Sequence, residues 1–124
     1  MKKELIIKKC QTCLAKVRIL KDCNCNNCGI TCCNKPMVEE VTNSTEASVE
    51  KHLPVFKVID NKIYVVINHV MEEEHYIEWI MYVTDEKEEL VYIKDKAEVT
   101  FDYIAKGSIY SYCNKHGLWK IDID

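Results

Sequence analysis

The chain has 124 residues, enough for one ordinary domain or for a small domain plus a metal-stapled module. An apolar fraction of 48% is sufficient for a hydrophobic core, and no apolar run approaches the ~20 residues of a membrane span. Residues 1–38 hold 8 Lys and Arg against 2 acids, whereas residues 39–124 hold 9 against 18. This charge asymmetry predicts two units, 1–38 and 39–124.

Composition also argues against several classes of partner. The lysines of the basic N-terminal unit have no interleaved aromatic residues on which bases would stack, which disfavours nucleic-acid binding. The run Leu5–Ile7 is too short for the core of a signal peptide. We therefore expect a cytoplasmic protein with no nucleic-acid or membrane partner. In that compartment, eight cysteines indicate metal or redox chemistry more than structural disulfides.

Residues 1–38 are predicted to form a cysteine-rich module. Two short strands, Leu5–Lys9 and Lys16–Leu20, flank the motif Cys10-x2-Cys13, and a turn-rich loop follows them. The module has too little apolar material for a core of its own, so a bound metal is expected to stabilise it. The remaining cysteines of the module are Cys23, Cys25, Cys28, Cys32 and Cys33.

The cysteines of this module exceed the four that one tetrahedral site needs. Thiolates suit both zinc and iron, so spacing alone does not separate the two metals. Cys23, Cys25 and Cys28 are either spare thiols or alternative ligands for an iron–sulfur cluster.

Residues 39–51 have the composition of a linker, and short β-branched and aromatic runs follow them. Asp60-Asn61 predicts a two-residue hairpin turn, and Asp85–Glu89 predicts a charged turn. The seven predicted strands are Val55–Ile59, Lys62–Ile67, Tyr76–Val83, Leu90–Lys94, Ala97–Ile104, Ser108–Tyr112 and Leu118–Ile121. Within Tyr76–Val83, alternation places four side chains on one face: Ile77, Trp79, Met81 and Val83. The absence of long helical periodicity predicts an all-β fold, with an immunoglobulin-like, seven-stranded antiparallel β-sandwich after the cysteine-rich head.

A second set of candidate metal ligands lies in this larger unit. Its members are His52, His69, His75, Cys113 and His116. Cys113 is the only cysteine after residue 33, and one tight turn separates it from His116. Five ligands exceed the four of a structural zinc site, and four imidazoles with one thiolate favour iron or copper. Such a set leaves one position of an octahedron open for chemistry. The competing interpretation is that these histidines are ordinary surface or core residues with hydrogen bonds. It would have to be true of all four histidines.

Three segments resemble the signatures of superoxide reductases. They are Glu50–Pro54, His69–Ile80 and Cys113–Lys120, and they keep His-x5-His, Cys-x2-His and the flanking tryptophans. The Cys10-x2-Cys13 and Cys32-Cys33 pattern resembles the desulforedoxin-like head of the two-domain members, the desulfoferrodoxins. The resemblance covers essentially the whole chain in matching order. The head departs from the family pattern, because 18 residues separate Cys13 from Cys32.

The resemblance implies one-electron reduction of superoxide to hydrogen peroxide, part of oxygen detoxification in an anaerobe. It implies a mononuclear iron with the four imidazoles as base and the thiolate of Cys113 at the apex. Glu50 resembles the family's loop carboxylate that occupies the sixth position of ferric iron, and Lys51 resembles the lysine that steers superoxide. A rubredoxin-like electron donor and a homodimer are further expectations. In the head we expect a second iron, held by Cys10, Cys13, Cys32 and Cys33, with an iron–sulfur cluster as the alternative.

Two other functions compete with this one. The chain would be a non-catalytic iron electron-transfer protein if the head were the working part and the five-ligand site were degenerate. It would be a zinc-stabilised interaction module if both sites held zinc in place of iron.

Overall fold

The structure is a computed structural model that describes residues 4–24, 29–43 and 52–124. These residues fall into two compact units, Glu4–Val41 and Thr42–Asp124, here named the head unit and the sandwich unit. The described residues form strands, turns and loops and no helix. Among them, therefore, no helix has the length and apolar character of a membrane span.

The head unit contains five short strands. They are β1 (Ile6–Lys9), β2 (Lys16–Ile19), β3 (Thr31–Cys32), β4 (Lys35–Pro36) and β5 (Val38–Glu39). One sheet has the order β2-β1-β5, and β3 pairs with β4 alone. β1 and β2 confirm the two predicted strands of the head to within one residue. β5 lies across the predicted boundary after residue 38 because it pairs with β1, and Glu40 N–H extends this contact by donating to Ile7 O. The head unit continues to Val41.

The sandwich unit contains seven antiparallel strands in two sheets. They are β6 (Val55–Ile59), β7 (Lys62–Val66), β8 (Ile77–Val83), β9 (Glu88–Tyr92), β10 (Glu98–Asp102), β11 (Gly107–Cys113) and β12 (Gly117–Ile123). One sheet has the order β10-β7-β6, and the other has the order β12-β11-β8-β9. Buried side chains from both sheets form one core, in which the Tyr82 and Phe101 rings lie 5.7 Å apart. The prediction of an all-β, seven-stranded sandwich is confirmed.

The predicted turn at Asp60-Asn61 joins β6 to β7. Both residues have positive φ, 51° and 64°, as a two-residue type I′ hairpin turn requires. Asp and Asn tolerate this left-handed conformation better than most side chains. The turn sets the register of the hairpin, so that Ile63 and Val65 of β7 point into the core.

One prediction about β8 was wrong. Ile77 does not share a face with Trp79, because it packs in the core with Ile80 and Tyr82. The cause is a shift in the pairing of β8 with β11, where Tyr112 lies opposite Trp79 but Cys113 lies opposite Ile77. Such a β-bulge inserts an extra residue on one strand and changes the face to which its side chains point. The bulge lies immediately beside Cys113.

The start of β9 was also predicted too late. The turn between β8 and β9 is tighter than Asp85–Glu89, because Thr84 Oγ1 accepts the N–H groups of Glu86 and Lys87. Thr84 N–H donates to Lys87 O across the same turn. Pairing with β8 therefore begins at Glu88, two residues before the predicted strand.

Candidate metal centres

The five predicted ligands of the sandwich unit come from one end of its two sheets. His52 precedes β6, His69 follows β7, and His75 lies two residues before β8. Cys113 is the last residue of β11, and His116 lies in the turn that leads into β12. Because these strands are antiparallel, the start of β6, β8 and β12 lies at the same end as the finish of β7 and β11. We call these five residues the five-ligand group.

The side chains of the five-ligand group converge on one point. Single ligand atoms of His52, His69, His75 and Cys113 all lie within 4.8 Å of one another. His116 Nδ1 joins them, at 3.0 Å from His52 Nε2 and 3.8 Å from Cys113 Sγ. Two nitrogens that bind one ion at right angles, each ~2.1 Å away, are about 3.0 Å apart. The spacing therefore suits ligation, and the role of each residue as a ligand stays a prediction.

Two of the imidazoles are oriented as metal ligands usually are. His69 Nδ1 lies 2.5 Å from Val70 O, so it carries the proton and donates it, which leaves the Nε2 lone pair free. That Nε2 atom lies 3.4 Å from Cys113 Sγ. His75 Nε2 is buried and, within the described part of the chain, has no hydrogen-bond partner. A buried, unpaired nitrogen is costly unless something else binds it, and a metal ion fits this need.

The same surroundings keep imidazoles in the form that binds metal. Burial disfavours the charged form and lowers the pKa of His69 below its ordinary value. Burial also lowers the pKa of His75, and repulsion by His116 and Lys115 adds to the effect. Both rings are therefore neutral near pH 7, with a lone pair available.

Trp119 forms a wall of this site that the sequence analysis did not single out as functional. Its ring stacks on the His52 ring, with centroids 4.9 Å apart and planes 22° from parallel. Trp119 is fully buried on β12, and His52 is 3% exposed. Stacking on a fixed indole restricts the orientations open to His52. The sequence signal was its position three residues after His116.

The four-cysteine group of the head unit also converges. Ligand atoms of Cys10, Cys13, Cys32 and Cys33 all lie within 4.8 Å of one another. Cys13 Sγ lies 3.7 Å from Cys32 Sγ, which lies 4.0 Å from Cys33 Sγ. Four sulfurs in a tetrahedron around one ion, with bonds of ~2.3 Å, lie about 3.8 Å apart. The spacing matches a single tetrahedral ion.

Backbone N–H groups surround the sulfurs of the head. Those of Cys13 and Thr12 donate to Cys10 Sγ and lower the pKa of that thiol to about 6. The pKa of Cys32 is raised to about 12, because its thiol donates to neighbouring sulfurs, first of all Cys10. The Cys10 thiolate thus forms readily, whereas the Cys32 thiol needs a cation nearby to ionise.

Five predicted site residues are not placed with either group. Cys23 is exposed and lies outside the four-cysteine group, and its N–H donates to Asp22 Oδ1. Cys25, Cys28, Glu50 and Lys51 lie outside the described residues.

Comparison with known proteins identifies the family. Residues 44–122 match the family model described as desulfoferrodoxin. The chain belongs to the desulfoferrodoxin family. A desulfoferrodoxin from Clostridium acetobutylicum is 38% identical over 103 residues, which is 79% of this chain and 82% of that protein. A desulfoferrodoxin from Desulfarculus baarsii is 34% identical over 131 residues, which is 98% of this chain and 99% of that protein.

A solved structure shares the fold. The superoxide reductase from Treponema pallidum superposes with a TM-score of 0.72, covering 96% of this chain and 99% of that one, at 24% sequence identity. As expected of a desulfoferrodoxin, the chain carries both a four-cysteine group and a four-histidine, one-cysteine group. The two groups fit two iron sites. In the sandwich unit the donors are mixed nitrogen and sulfur, and in the head they are sulfur only.

Proposed function

We propose that the chain is a superoxide reductase, in which the five-ligand group holds a mononuclear iron. The observation that carries the proposal is the convergence of four imidazoles and one buried cysteine sulfur on one point. Membership of the desulfoferrodoxin family and the fold shared with a solved superoxide reductase support it. Bound ferrous iron would supply the electron that, with two protons, converts superoxide to hydrogen peroxide.

The charge of the ligand set favours an anionic substrate. Neutral imidazoles add no charge, so one thiolate on a divalent ion leaves a single net positive charge. The lowered pKa values of His69 and His75 keep their imidazoles neutral near pH 7. Residues 39–124 are otherwise acidic. A local positive potential inside an acidic unit attracts superoxide to this point rather than to the wider surface.

Cys113 is the ligand that tunes the centre in this proposal. Its side chain is fully buried at the end of β11, and its sulfur lies 3.4 Å from His69 Nε2 and 3.8 Å from His116 Nδ1. A thiolate donates more electron density to iron than an imidazole does. Burial protects this sulfur from solvent.

Glu50 and Lys51 are proposed catalytic residues that adjoin His52 in sequence. The Lys51 ammonium would add positive potential for superoxide and organise a water for protonation. The Glu50 carboxylate would help displace the product and move aside for substrate. This part of the proposal comes from the family signature alone.

The head unit is proposed to hold a second iron in its four-cysteine group and to relay electrons. The spacing of its sulfur atoms favours a single ion over an iron–sulfur cluster, because cluster ligands bind separate iron atoms. The larger unit is proposed as the catalytic domain. A cytoplasmic location, a homodimer and a rubredoxin-like electron donor stay predictions.

The stoichiometry of superoxide consumption tests the proposed function. Iron-loaded protein is supplied with reductant and superoxide, and peroxide and oxygen are measured together. We expect one peroxide per superoxide and no oxygen from the catalysed reaction. One oxygen released for every two superoxides would mean dismutation and would refute the proposal.

A His52→Ala variant distinguishes the competing functions. The proposal predicts loss of superoxide reduction in this variant, since one imidazole of the iron site is removed. Undiminished reduction would favour the electron-transfer alternative, in which the head is the working part. Metal analysis that finds zinc and no iron after anaerobic expression with iron supplied would favour the zinc-stabilised module.

A further inference from the structure

The side chain of Asn114 joins two segments of the five-ligand group. Its Oδ1 accepts the Tyr76 N–H at 2.8 Å, and its Nδ2 donates to Glu74 O at 2.9 Å. In addition, Asn114 N–H donates to Tyr76 O at 3.1 Å. The two backbone groups held by the side chain flank His75. Asn114 itself follows Cys113 directly and stands two residues before His116.

These hydrogen bonds take the place of strand pairing, which ends at Cys113. β11 pairs with β8 up to Cys113, and the chain then turns toward β12. Among the described residues, no strand runs beside the segment just before β8 to bind its backbone groups. An asparagine amide carries the same donor and acceptor as a peptide group, so one side chain can stand in for the missing partner.

Within the described part of the chain, the other backbone hydrogen bonds of His75 are local. One turn binds it to Glu72, through N–H···O contacts of 2.9 and 3.3 Å. That turn is local, so it does not relate His75 to the ligands of other strands. The His75 ring lies 4.5 Å from the His69 ring and 5.0 Å from the His116 ring, centroid to centroid. To the strand pairing that ends at Cys113, the Asn114 side chain adds a link between the His75 segment and the turn after β11.

We propose that Asn114 is a positioning residue that holds His75 in place relative to Cys113 and His116. It does not touch the reacting atoms, and it acts through the backbone on both sides of His75. The inference rests on the proposed ligand set, although not on the reaction carried out there. A ligand set assembled in advance binds its metal more tightly, because less ordering accompanies binding.

The test compares Asn114→Ala with a variant of similar stability whose substitution lies away from the five-ligand group. Thr84→Ala serves as the control, since the Thr84 hydroxyl also accepts two backbone N–H groups but lies beyond the far end of β8. Whole, iron-loaded chains are mixed with a strong chelator at a temperature where circular dichroism shows both variants fully folded. Iron loss is followed by optical absorption, and Cys113→Ser assigns the band of the five-ligand centre.

We expect Asn114→Ala to release iron from the five-ligand centre at least tenfold faster than wild type and to shift its thiolate absorption band. Iron loss from the head should be unchanged. Thr84→Ala should match wild type at both centres. Asn114→Asp is a milder variant: it keeps the acceptor for Tyr76 N–H but loses the donor to Glu74 O, so it should change in the same direction.

If either Asn114 variant, once folded, releases iron at the rate of Thr84→Ala with an unshifted band, the positioning role is wrong. This readout needs no superoxide, so it is independent of the reaction test. Wild-type protein that holds iron at both centres but releases oxygen would refute the reductase activity and leave the positioning role standing. Wild-type protein with no iron at the five-ligand group would overturn both.

Discussion

The two units present their candidate metal ligands in different settings. In the sandwich unit, Cys113 is fully buried beside a core drawn from both sheets. In the head unit, Cys13 and Cys33 are exposed, and Leu14 beside Cys13 is 91% exposed. Among the described residues of the head, five apolar side chains are buried: Leu5, Ile7, Cys10, Ile19 and Met37. The difference suggests that packing assembles one site and that metal assembles the other.

Metal removal should give the largest contrast between the units. We expect strong chelation to unfold the head unit, because its small core cannot offset the entropy of ordering its loops. The sandwich unit should keep its strands. Amide hydrogen exchange, followed residue by residue, measures both in one sample. Protected amides in β1 and β2 after complete metal removal would contradict this comparison.

A cavity in the sandwich core should destabilise the sandwich unit and leave the head unit unaffected. Phe101→Ala removes a buried ring on β10, and we expect it to cost about 3–5 kcal/mol of unfolding free energy. Tyr92→Ala is the control, since Tyr92 is 70% exposed and should cost little. Denaturant unfolding gives the free energies, and the optical spectrum of the head iron reports on the other unit. Loss of the head spectrum in Phe101→Ala would show that the units do not respond separately.

Gly107 tests how tightly the sandwich is packed. A Cβ atom at this position would lie 2.1 Å from Val83 O, a backbone atom that cannot move away alone. We expect Gly107→Ala to lower the unfolding free energy by about 1–3 kcal/mol. In the head, none of the described residues has an atom within 4 Å of a Cβ added to Gly29, so Gly29→Ala is the matched control. Equal melting temperatures for the two variants would argue against tight packing at this strand start.

Ion pairs should produce the smallest effects. Lys8 Nζ lies 2.9 Å from Asp22 Oδ1 and lowers the pKa of Asp22. The pair therefore stabilises the head fully at pH values above the ordinary aspartate pKa. This stabilisation is lost as the pH falls through the lowered pKa. The Lys62–Asp102 pair of the sandwich is more exposed and better screened. We expect Asp22→Asn to lower the thermal midpoint of the head slightly at pH 7, and Asp102→Asn to leave that of the sandwich unchanged. A larger decrease for Asp102→Asn than for Asp22→Asn would contradict the expectation that the more exposed pair contributes less.

Local patterns predicted most of the fold. The turn at Asp60-Asn61 and the positions of β7 and β10 were predicted by rules that act within a few residues. The bulge beside Cys113 was missed because it arises from pairing between distant strands. β5 was missed because two residues carry almost no periodic signal, and their pairing with β1 decides the boundary.

In the candidate site, too, local features were predicted and features that depend on strand pairing were not. Histidine and cysteine are common metal ligands, so residue type alone indicates them as candidates. All five members of the five-ligand group could therefore be predicted from the sequence. Trp119 and Asn114 act through stacking and backbone hydrogen bonds, and neither role has a signature in residue type. Supporting residues of this kind emerge only when the strands are paired.

Iron K-edge X-ray absorption shows whether the five-ligand group holds iron. It is recorded on the whole iron-loaded chain and on Cys113→Ser. We expect nitrogen neighbours at about 2.1 Å beside sulfur at about 2.3 Å in wild type, with loss of about one sulfur neighbour per chain in the variant. A wild-type spectrum with sulfur neighbours alone, unchanged by Cys113→Ser, would place all iron in the head and contradict an iron site in the five-ligand group.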